Sequence, residues 1–308
     1  MLEVRGLTKN YGDLEVLKGI DFEINEGSIY GFLGRNGAGK TTTMNILTGL
    51  IEFNKGSIKY NNIDFKENKR EILQMIGYVP QDPVFYGYMN AFEYLNFIGK
   101  LSGMNNKEIK SRSEEVLSVV GLFEAAGRKV GGYSGGMQQR FAIAVALFNK
   151  PKMLFLDEPT SSLDPQGRME ILELIREMKQ QGMTIFFSTH ILNDIERICD
   201  QVSILEKGKI LVSGDLSALK EKYIMPIYDI ELEKPCPALT LRLESMPWID
   251  RVCEDKNRLT VYVKDIGASK KELLKNMAEV DCAVLSYNLR KSDLEDIFIR
   301  LVSSNENL

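Results

Sequence analysis

The stretch "GRNGAGKTT", residues 34–42, decides the fold. It satisfies the pattern G-x-x-x-x-G-K-[S/T], in which glycines let backbone N–H groups turn inward around a phosphate. The preceding run "SIYGFLG", residues 28–34, is apolar like a buried strand, and the following "GKTTTMNILTGL", residues 39–50, suits a helix. Because a helix N-terminus adds the positive end of the helix dipole, this context predicts a nucleotide-phosphate site in an α/β fold. The flanking strand and helix disfavour the alternative, a glycine-rich turn without a ligand.

The loop and the start of the helix supply the predicted contacts to ATP and Mg²⁺. Lys40 is expected to neutralise the β- and γ-phosphates, and Thr41 to place its hydroxyl on Mg²⁺. The predicted ATP-binding residues of this stretch are Gly34, Arg35, Asn36, Gly37, Ala38, Gly39, Lys40, Thr41 and Thr42.

Two carboxylates follow a second apolar strand, "KMLFLDEP", residues 152–159. Asp157 emerges at the C-terminal end of this strand, where α/β folds bind their ligands, and an aspartate there can hold Mg²⁺ directly or through water. Glu158, next to it, can polarise the water that attacks the γ-phosphate. Such a pair is a weak signal alone and a strong one beside a phosphate loop.

Strand-like and helix-like segments alternate over residues 1–222, and the strands are apolar on both faces. This pattern predicts a mostly parallel sheet covered by helices, with a helical subdomain at about 84–140. In residues 223–308 the order changes to β-α-β-β-α-β, which fits a small α+β domain of the ferredoxin-like type. A last helix is predicted from Ser292, with a capping box to Glu295 and an apolar face further on.

The composition bounds the classes of function. The chain has 308 residues, 27% of them charged, and a net charge of −4. Nucleic-acid binders usually show a strong basic excess, so the charge argues against a nucleic-acid partner. The four cysteines, which lack metal-ligand spacing, are expected to be free thiols in a reducing compartment. They are Cys199, Cys236, Cys253 and Cys282.

The apolar runs are too short for a signal peptide or a membrane span. The start "MLEVRGLTKNYG" lacks the apolar core of a signal peptide, and no apolar run reaches the roughly 20 residues that a membrane helix needs. We therefore expect a soluble, cytosolic chain unless a partner holds it at a membrane.

A third motif, "YSGGMQQR", residues 133–140, opens another predicted helix. Ser134 suits the N-cap position, and Gly135 and Gly136 allow close approach of the backbone to a ligand. Alone, this is only the start of a capped helix. Together with "GRNGAGKTT" and "LFLDEPTSSLD" in this order, the segment resembles the signature of the ATP-binding cassette (ABC) ATPases over about residues 1–220. The resemblance implies a P-loop ATPase that uses ATP and Mg²⁺, with phosphate contacts from the signature.

The resemblance also assigns roles to single positions. Tyr11 matches the aromatic residue that stacks on adenine, and Asp164 matches the loop that crosses between subunits. Gln81 matches the glutamine that reaches Mg²⁺ and the attacking water. His190, the only histidine of the chain, matches the switch histidine that contacts the γ-phosphate. The implied catalytic residues are Glu158, His190 and Gln81, and the implied metal ligands are Thr41, Gln81 and Asp157.

The signature departs from the common form L-S-G-G-Q. Tyr133 replaces leucine and Met137 replaces glutamine, so the side-chain contacts of these two positions differ from the usual ones. Both residues are familiar in the exporter ATPases. The end of the chain, "SDLEDIFIRL", also resembles the tail of exporter ATPases for drugs, lipids, peptides or ions, over roughly the last 80 residues.

The resemblance implies two kinds of partner. In the family, the signature completes the site of the opposite subunit, so a second ATP-binding subunit is expected, either a second copy or a relative. An integral-membrane permease is the other, and it would hold the chain on the inner face of the cell membrane. Three functions remain open: an exporter ATPase, which the signature and the C-terminal domain favour, an importer ATPase, and a soluble ABC protein acting on translation or DNA.

Overall fold

The computed structural model describes residues 1–223, 226–280, 282–291 and 296–297. It divides into two compact units, Met1–Leu216 and Ser217–Leu308. The sequence pattern placed the domain boundary slightly later, between residues 222 and 223, and that placement stays a prediction.

The first unit contains ten strands and the helices that connect them. The strands are β1 (Leu2–Tyr11), β2 (Leu14–Ile24), β3 (Ile29–Gly34), β4 (Lys55–Tyr60), β5 (Ile63–Asp64), β6 (Ile76–Val79), β7 (Met153–Asp157), β8 (Thr184–Thr189), β9 (Gln201–Glu206) and β10 (Lys209–Asp215). The helices are α1 (Lys40–Leu47), α2 (Lys69–Gln74), α3 (Ala91–Leu101), α4 (Asn106–Val119), α5 (Gly135–Leu147), α6 (Pro165–Gln180) and α7 (Leu192–Ile198), and α8 (Leu216–Tyr223) follows at the junction.

A six-stranded sheet forms the centre of this unit, in the order β10-β9-β3-β8-β7-β6. All neighbours are parallel except β10, which pairs antiparallel with β9. Every residue of β3, β7 and β8 is buried, which is why each of these strands contains an apolar run. The prediction of a mostly parallel sheet is confirmed. Because β3, β8 and β7 are neighbours, the segments that follow their carboxyl ends meet at one edge.

The second, antiparallel sheet has the order β2-β1-β4-β5. The turn-rich sequence from Gly56 to Phe65 predicts a short β segment, where β4 and β5 lie, but no pattern predicted β1 and β2. Buried and exposed positions mix along both strands, and register shifts interrupt their pairing. The period-2 pattern that identifies a half-buried strand is therefore broken. The two sheets share one hydrophobic core, whose aromatic members include Phe22, Tyr30, Phe32 and Phe186.

Helices α3 and α4 each begin with a capping box. The side chain of Asn90 accepts from the backbone N–H of Glu93, and Asn105 does the same for Glu108, while both glutamates bond back to the N-cap N–H. Such caps satisfy helix N–H groups that have no partner within the helix. These helices and the start of α5 lie in the range predicted for a helical subdomain, whose limits stay a prediction.

The second unit has the order β11 (Pro226–Leu232), α9 (Pro237–Glu244), β12 (Ile249–Asp255), β13 (Arg258–Val263), α10 (Ile266–Ala278) and β14 (Val284–Lys291). Its sheet order is β12-β13-β11-β14 with antiparallel neighbours, the arrangement expected for a ferredoxin-like domain. The predicted last helix from Ser292 lies almost entirely outside the described residues. Over the part of the chain that the structure describes, no helix is long and apolar enough to cross a membrane.

Candidate functional site

The loop between β3 and α1 lines a cavity of about 440 Å³. Gly39 starts α1 at a φ of 114°, a conformation that side-chain-bearing residues rarely adopt, so glycine is needed at this turn. The residues lining the cavity are Val16, Asn36, Gly37, Gly39, Lys40, Thr41, Thr42, Gln81 and Glu158. The structure thus places Gln81 and Glu158 beside the phosphate loop, although they lie far from it in the sequence.

Lys40 is turned into the loop and is only 6% exposed. Its Nζ donates to the carbonyl oxygens of Gly34 at 2.8 Å and Arg35 at 3.3 Å, and it lies 3.0 Å from Glu158 Oε1. The cation is therefore buried but well coordinated, and it is paired with the carboxylate that we expect to act on water. A phosphate entering the loop would compete with Glu158 for this cation.

Asp157 lies at the end of β7 and is fully buried. Its Oδ1 accepts from Ser188 Oγ at 2.5 Å, whereas Oδ2 has no hydrogen-bond partner among the described residues. Burial raises the pKa of Asp157, and the hydrogen bond from Ser188 and the nearby Thr41 hydroxyl oppose that rise. A buried carboxylate oxygen without a partner, close to a threonine hydroxyl, is a donor set that suits Mg²⁺. The residues present therefore fit the metal ion that the motifs imply.

Glu158 and His190 form the next contact. His190 Nδ1 lies 2.7 Å from Glu158 Oε2, and the glutamate is only 4% exposed while the imidazole is 43% exposed. Glu158 has a φ of 49°, in the left-handed region, and its N–H is held by the carbonyl and hydroxyl oxygens of Ser188. Strained backbone of this kind persists only where neighbours hold it. Lys40, Glu158 and His190 thus form a continuous line of contacts at one sheet edge.

The signature lies in a different cavity. Ser134, Gly135, Gly136 and Asp164 line a space of about 420 Å³ that shares no residue with the phosphate-loop cavity. Ser134 caps α5 by accepting from Met137 N–H, and Asp164 caps α6 by accepting from Gly167 N–H. One chain therefore brings the predicted ATP residues together in two separate groups.

Two aromatic positions have different environments. Tyr11, at the end of β1, is 50% exposed and lies outside the residues that line the phosphate-loop cavity. Tyr133 is buried, donates to the carbonyl of Ala125 at 3.0 Å and packs edge-on against Phe141. The unusual tyrosine of the signature is thus part of the core, which explains why a residue larger than leucine is accepted there.

Sequence reasoning missed Ser188. This residue pairs with Asp157 across β7 and β8, bonds its carboxylate and also holds the backbone of Glu158. The sequence contains a signal, because "FFST" places a serine hydroxyl directly after an apolar run and two residues before His190. A buried hydroxyl requires a hydrogen-bond partner, and in this fold the partner is a carboxylate on the neighbouring strand.

The comparisons with known proteins agree with these motifs. The ABC transporter family profile matches residues 17–161, and that of the C-terminal domain of DrrA1-3-like ATP-binding proteins matches residues 214–302. The chain is 37% identical to the bacitracin transport ATP-binding protein BcrA of Bacillus licheniformis, over 98% of this chain and 97% of that protein. It is 33% identical to the linearmycin resistance ATP-binding protein LnrL of Bacillus subtilis, over 98% of each chain.

A solved cassette shows the same fold. The dimeric structure of MJ0796, described as a bacterial ABC transporter cassette, superposes with a TM-score of 0.64 at 29% identity, over 70% of this chain and 99% of that one. The family predicted from the three motifs is confirmed. The chain therefore belongs to the ATP-binding subunits of ABC transporters, whose cassettes bind and hydrolyse ATP.

Proposed function

We propose that this chain is the ATPase subunit of an exporter, in which closure of an ATP-bound dimer drives a substrate outward through a separate membrane permease. The observation that carries the chemistry is the line of contacts from Lys40 through Glu158 to His190. It joins a cation for phosphate, a carboxylate for water and an imidazole that can bond either of them.

The roles follow from these contacts. When ATP enters the loop, its phosphates take Lys40 from Glu158, and the released carboxylate accepts a proton from the attacking water. His190, exposed on one side and bonded to Glu158 on the other, contacts the γ-phosphate. Mg²⁺, held by Thr41, Gln81 and Asp157, would neutralise charge on the phosphates.

The two separate cavities support a site shared between two chains. If a second copy docks head to tail, its signature and Asp164 face the first chain's phosphate loop, and two composite sites form. Adenine would stack on Tyr11. The variant Glu158→Gln should bind ATP without hydrolysing it and accumulate as a dimer in light scattering. A monomer under these conditions would contradict the shared site.

Complementation between inactive chains tests the same geometry. Lys40→Ala removes the phosphate cation, and Ser134→Arg fills the signature cavity. Each variant alone should be inactive, whereas an equal mixture should form mixed dimers with one intact composite site. Because half of the random pairs are mixed, up to about a quarter of wild-type activity should return. An inactive mixture, with dimers present, would contradict sharing.

A cavity of about 1150 Å³ in the first unit supports a docking site for the permease. It lies between α2, α4 and the segment after α5, and partly overlaps the helical subdomain. Five basic and two acidic side chains line it: Lys69, Arg70, Lys107, Arg112, Lys150, Glu108 and Glu115. Such a surface suits a short cytosolic segment of the permease with acidic residues.

Charge reversal tests this docking site. Lys107→Glu should weaken copurification with the permease while ATP binding stays unchanged, because Lys107 lines this cavity and not the phosphate-loop cavity. Lys110→Glu, on the same helix but outside the cavity lining, is the matched control. Equal losses for both variants would indicate a general charge effect.

Export is favoured over the alternatives by the relatives. Two relatives of similar length are named for bacitracin transport and linearmycin resistance, and the second unit matches the domain of DrrA1-3-like proteins. Antibiotics of these kinds are therefore the first cargo to test. Cells without this chain should become more sensitive to them, and Glu158→Gln should fail to restore resistance.

A detergent pull-down of the tagged chain from its own cells identifies the partner. A polytopic membrane protein without its own cassette supports the transporter, and a solute-binding protein captured with it would favour import. Ribosomal or DNA-repair proteins without a membrane protein would overturn the transport function.

A further inference from the structure

A buried carboxylate outside the ATP site joins the segments that carry the proposed catalytic groups. Asp194 is 0% exposed and lies in the first turn of α7, four residues after His190. Its Oδ2 accepts from Thr160 Oγ1 at 2.7 Å, its Oδ1 accepts from Arg168 Nε at 2.6 Å, and Arg168 Nη2 lies 2.6 Å from the same oxygen as an ion pair. The chemistry described above leaves this residue without a role.

The two partners of Asp194 belong to the other critical segments. Thr160 is itself buried and follows Glu158 by two residues, in the loop that leads to Asp164. Arg168 lies on α6, the helix that Asp164 caps. One carboxylate therefore ties together the segment after His190, the segment after Glu158 and the helix that begins at Asp164.

These segments need tertiary contacts to hold their conformation. Helix α7 has seven residues, and among the described residues its N-cap Ile191 makes no side-chain cap bond, so the helix is marginal by itself. Glu158 is held in the left-handed region of φ. His190 sits between β8 and α7 with its ring partly exposed, so the placement of α7 sets where the imidazole points. A buried charge is retained at this position only because it is fully bonded.

We propose that Asp194 is a positioning residue, which holds His190 against Glu158 and couples both to the loop that carries Asp164. The proposal rests on the proposed function, since it concerns the same catalytic groups. It predicts that removing the contacts of Asp194 with Thr160 or Arg168 slows hydrolysis. Nucleotide binding should not weaken, because the phosphate loop lies on other elements.

Two variants and one matched control distinguish positioning of His190 by Asp194 from a general loss of contacts between α6 and α7. Asp194→Asn removes the charge, and Arg168→Gln removes its partner. Arg176→Gln is the control, because Arg176 also lies on α6 and also reaches the α7 segment, at the carbonyl of Arg197, but does not touch Asp194. We expect kcat to fall roughly 10- to 100-fold in the two variants, with KM for ATP within about twofold of wild type, and no change in the control.

The single histidine supplies a second readout. In protein with a histidine-free tag, the imidazole signals in an NMR spectrum belong to His190 alone. In nucleotide-free Asp194→Asn and Arg168→Gln, these signals should move toward their positions in Glu158→Gln, where the acceptor of Nδ1 is altered. The double variant should be no slower than the slower single variant, since both changes act through one pair.

The outcomes distinguish this inference from the proposed function. If Glu158→Gln hydrolyses ATP at the wild-type rate, the proposed function fails, and the inference fails with it. If Glu158→Gln is inactive but both Asp194→Asn and Arg168→Gln keep the wild-type kcat and unshifted His190 signals, only the inference fails. The inference alone also fails if Arg176→Gln loses as much activity as Arg168→Gln. If Asp194→Asn does not fold, Arg168→Gln, at a partly exposed residue, decides the question.

Discussion

Replacing Glu158 with glutamine should tighten nucleotide binding while it stops turnover. Lys40 Nζ lies 3.0 Å from Glu158 Oε1 in a buried pair. At that separation, with an effective dielectric constant of about 20, the gross attraction is about 5 kcal/mol. Desolvation of the two charges cancels most of this attraction, and a net attraction of about 1–2 kcal/mol between Lys40 and Glu158 is left.

When a phosphate of the nucleotide binds Lys40, the ion pair with Glu158 is broken, and its net attraction is subtracted from the binding free energy. Glutamine at 158 keeps the shape but removes the competing charge, while the carbonyl oxygens of Gly34 and Arg35 still hold the lysine. Glu158→Gln should therefore bind ADP about 5- to 30-fold more tightly than wild type, the ratio that about 1–2 kcal/mol produces. ATP turnover should fall by about 10²–10⁴-fold, the range typical of losing a general base.

Calorimetric titration with ADP measures the predicted difference in ADP affinity between Glu158→Gln and the wild type. ADP is chosen because the proposed dimer is the ATP-bound one, so the affinity for ADP refers to a single chain. Glu173→Gln, which removes an exposed carboxylate on α6, is the control for net charge. Unchanged or weaker ADP affinity in Glu158→Gln, with turnover abolished, would show that Glu158 does not restrain Lys40.

Three further predictions concern single sites. Gly39→Ala places a side chain at a φ of 114° and should weaken ATP binding at least about tenfold in calorimetry, whereas Gly127→Ala, in open space, should not. Burial raises the pKa of Asp157. A carboxyl group whose pKa is raised in the folded state destabilises the fold as the pH rises, so Asp157→Asn should raise the Tm of the nucleotide-free protein at pH 7 in differential scanning calorimetry, and raise it less as the pH falls. Cys236 Sγ and Cys282 Sγ lie 2.6 Å apart, so diamide should join them in a disulfide and be reduced by the two thiols, and the thiol count of the unfolded chain should fall from four to two.

The sequence predicts the central sheet well and the second sheet poorly, for a physical reason. Strands β3, β7 and β8 are covered on both faces, so most of their side chains are apolar and the pattern of a buried strand is visible in the sequence. Strands β1 and β2 have one covered face, and their bulges shift the alternation by a residue wherever they occur. The pattern of a strand pair with bulges depends on its partner, and a single sequence does not show the partner.

The candidate site divides in a similar way. The phosphate loop is contiguous, so its glycines and Lys40 can be identified from spacing alone. The partners of Asp157 and Glu158 come from β8 and the following segment, some thirty residues along the chain. Ser188 and Asp194 look like ordinary polar residues in the sequence, because their roles depend on which strand ends the fold places side by side.

Because these strand ends lie side by side, binding of ATP at the phosphate loop can change the position of groups near the proposed dimer interface. Lys40 follows β3, Glu158 follows β7 and His190 follows β8, and these three strands are consecutive in the sheet. A phosphate that takes Lys40 from Glu158 changes the charge that His190 faces, and His190 lies four residues before Asp194, which is bonded toward the loop of Asp164. The contacts of Glu158 with Lys40 and His190, and those of Asp194 with its two partners, are 2.6 to 3.0 Å long. At such distances, displacement of one side chain changes the position of the side chain that it contacts. A change at the phosphate loop can therefore reach the proposed interface through these side chains and the short backbone segment between His190 and Asp194.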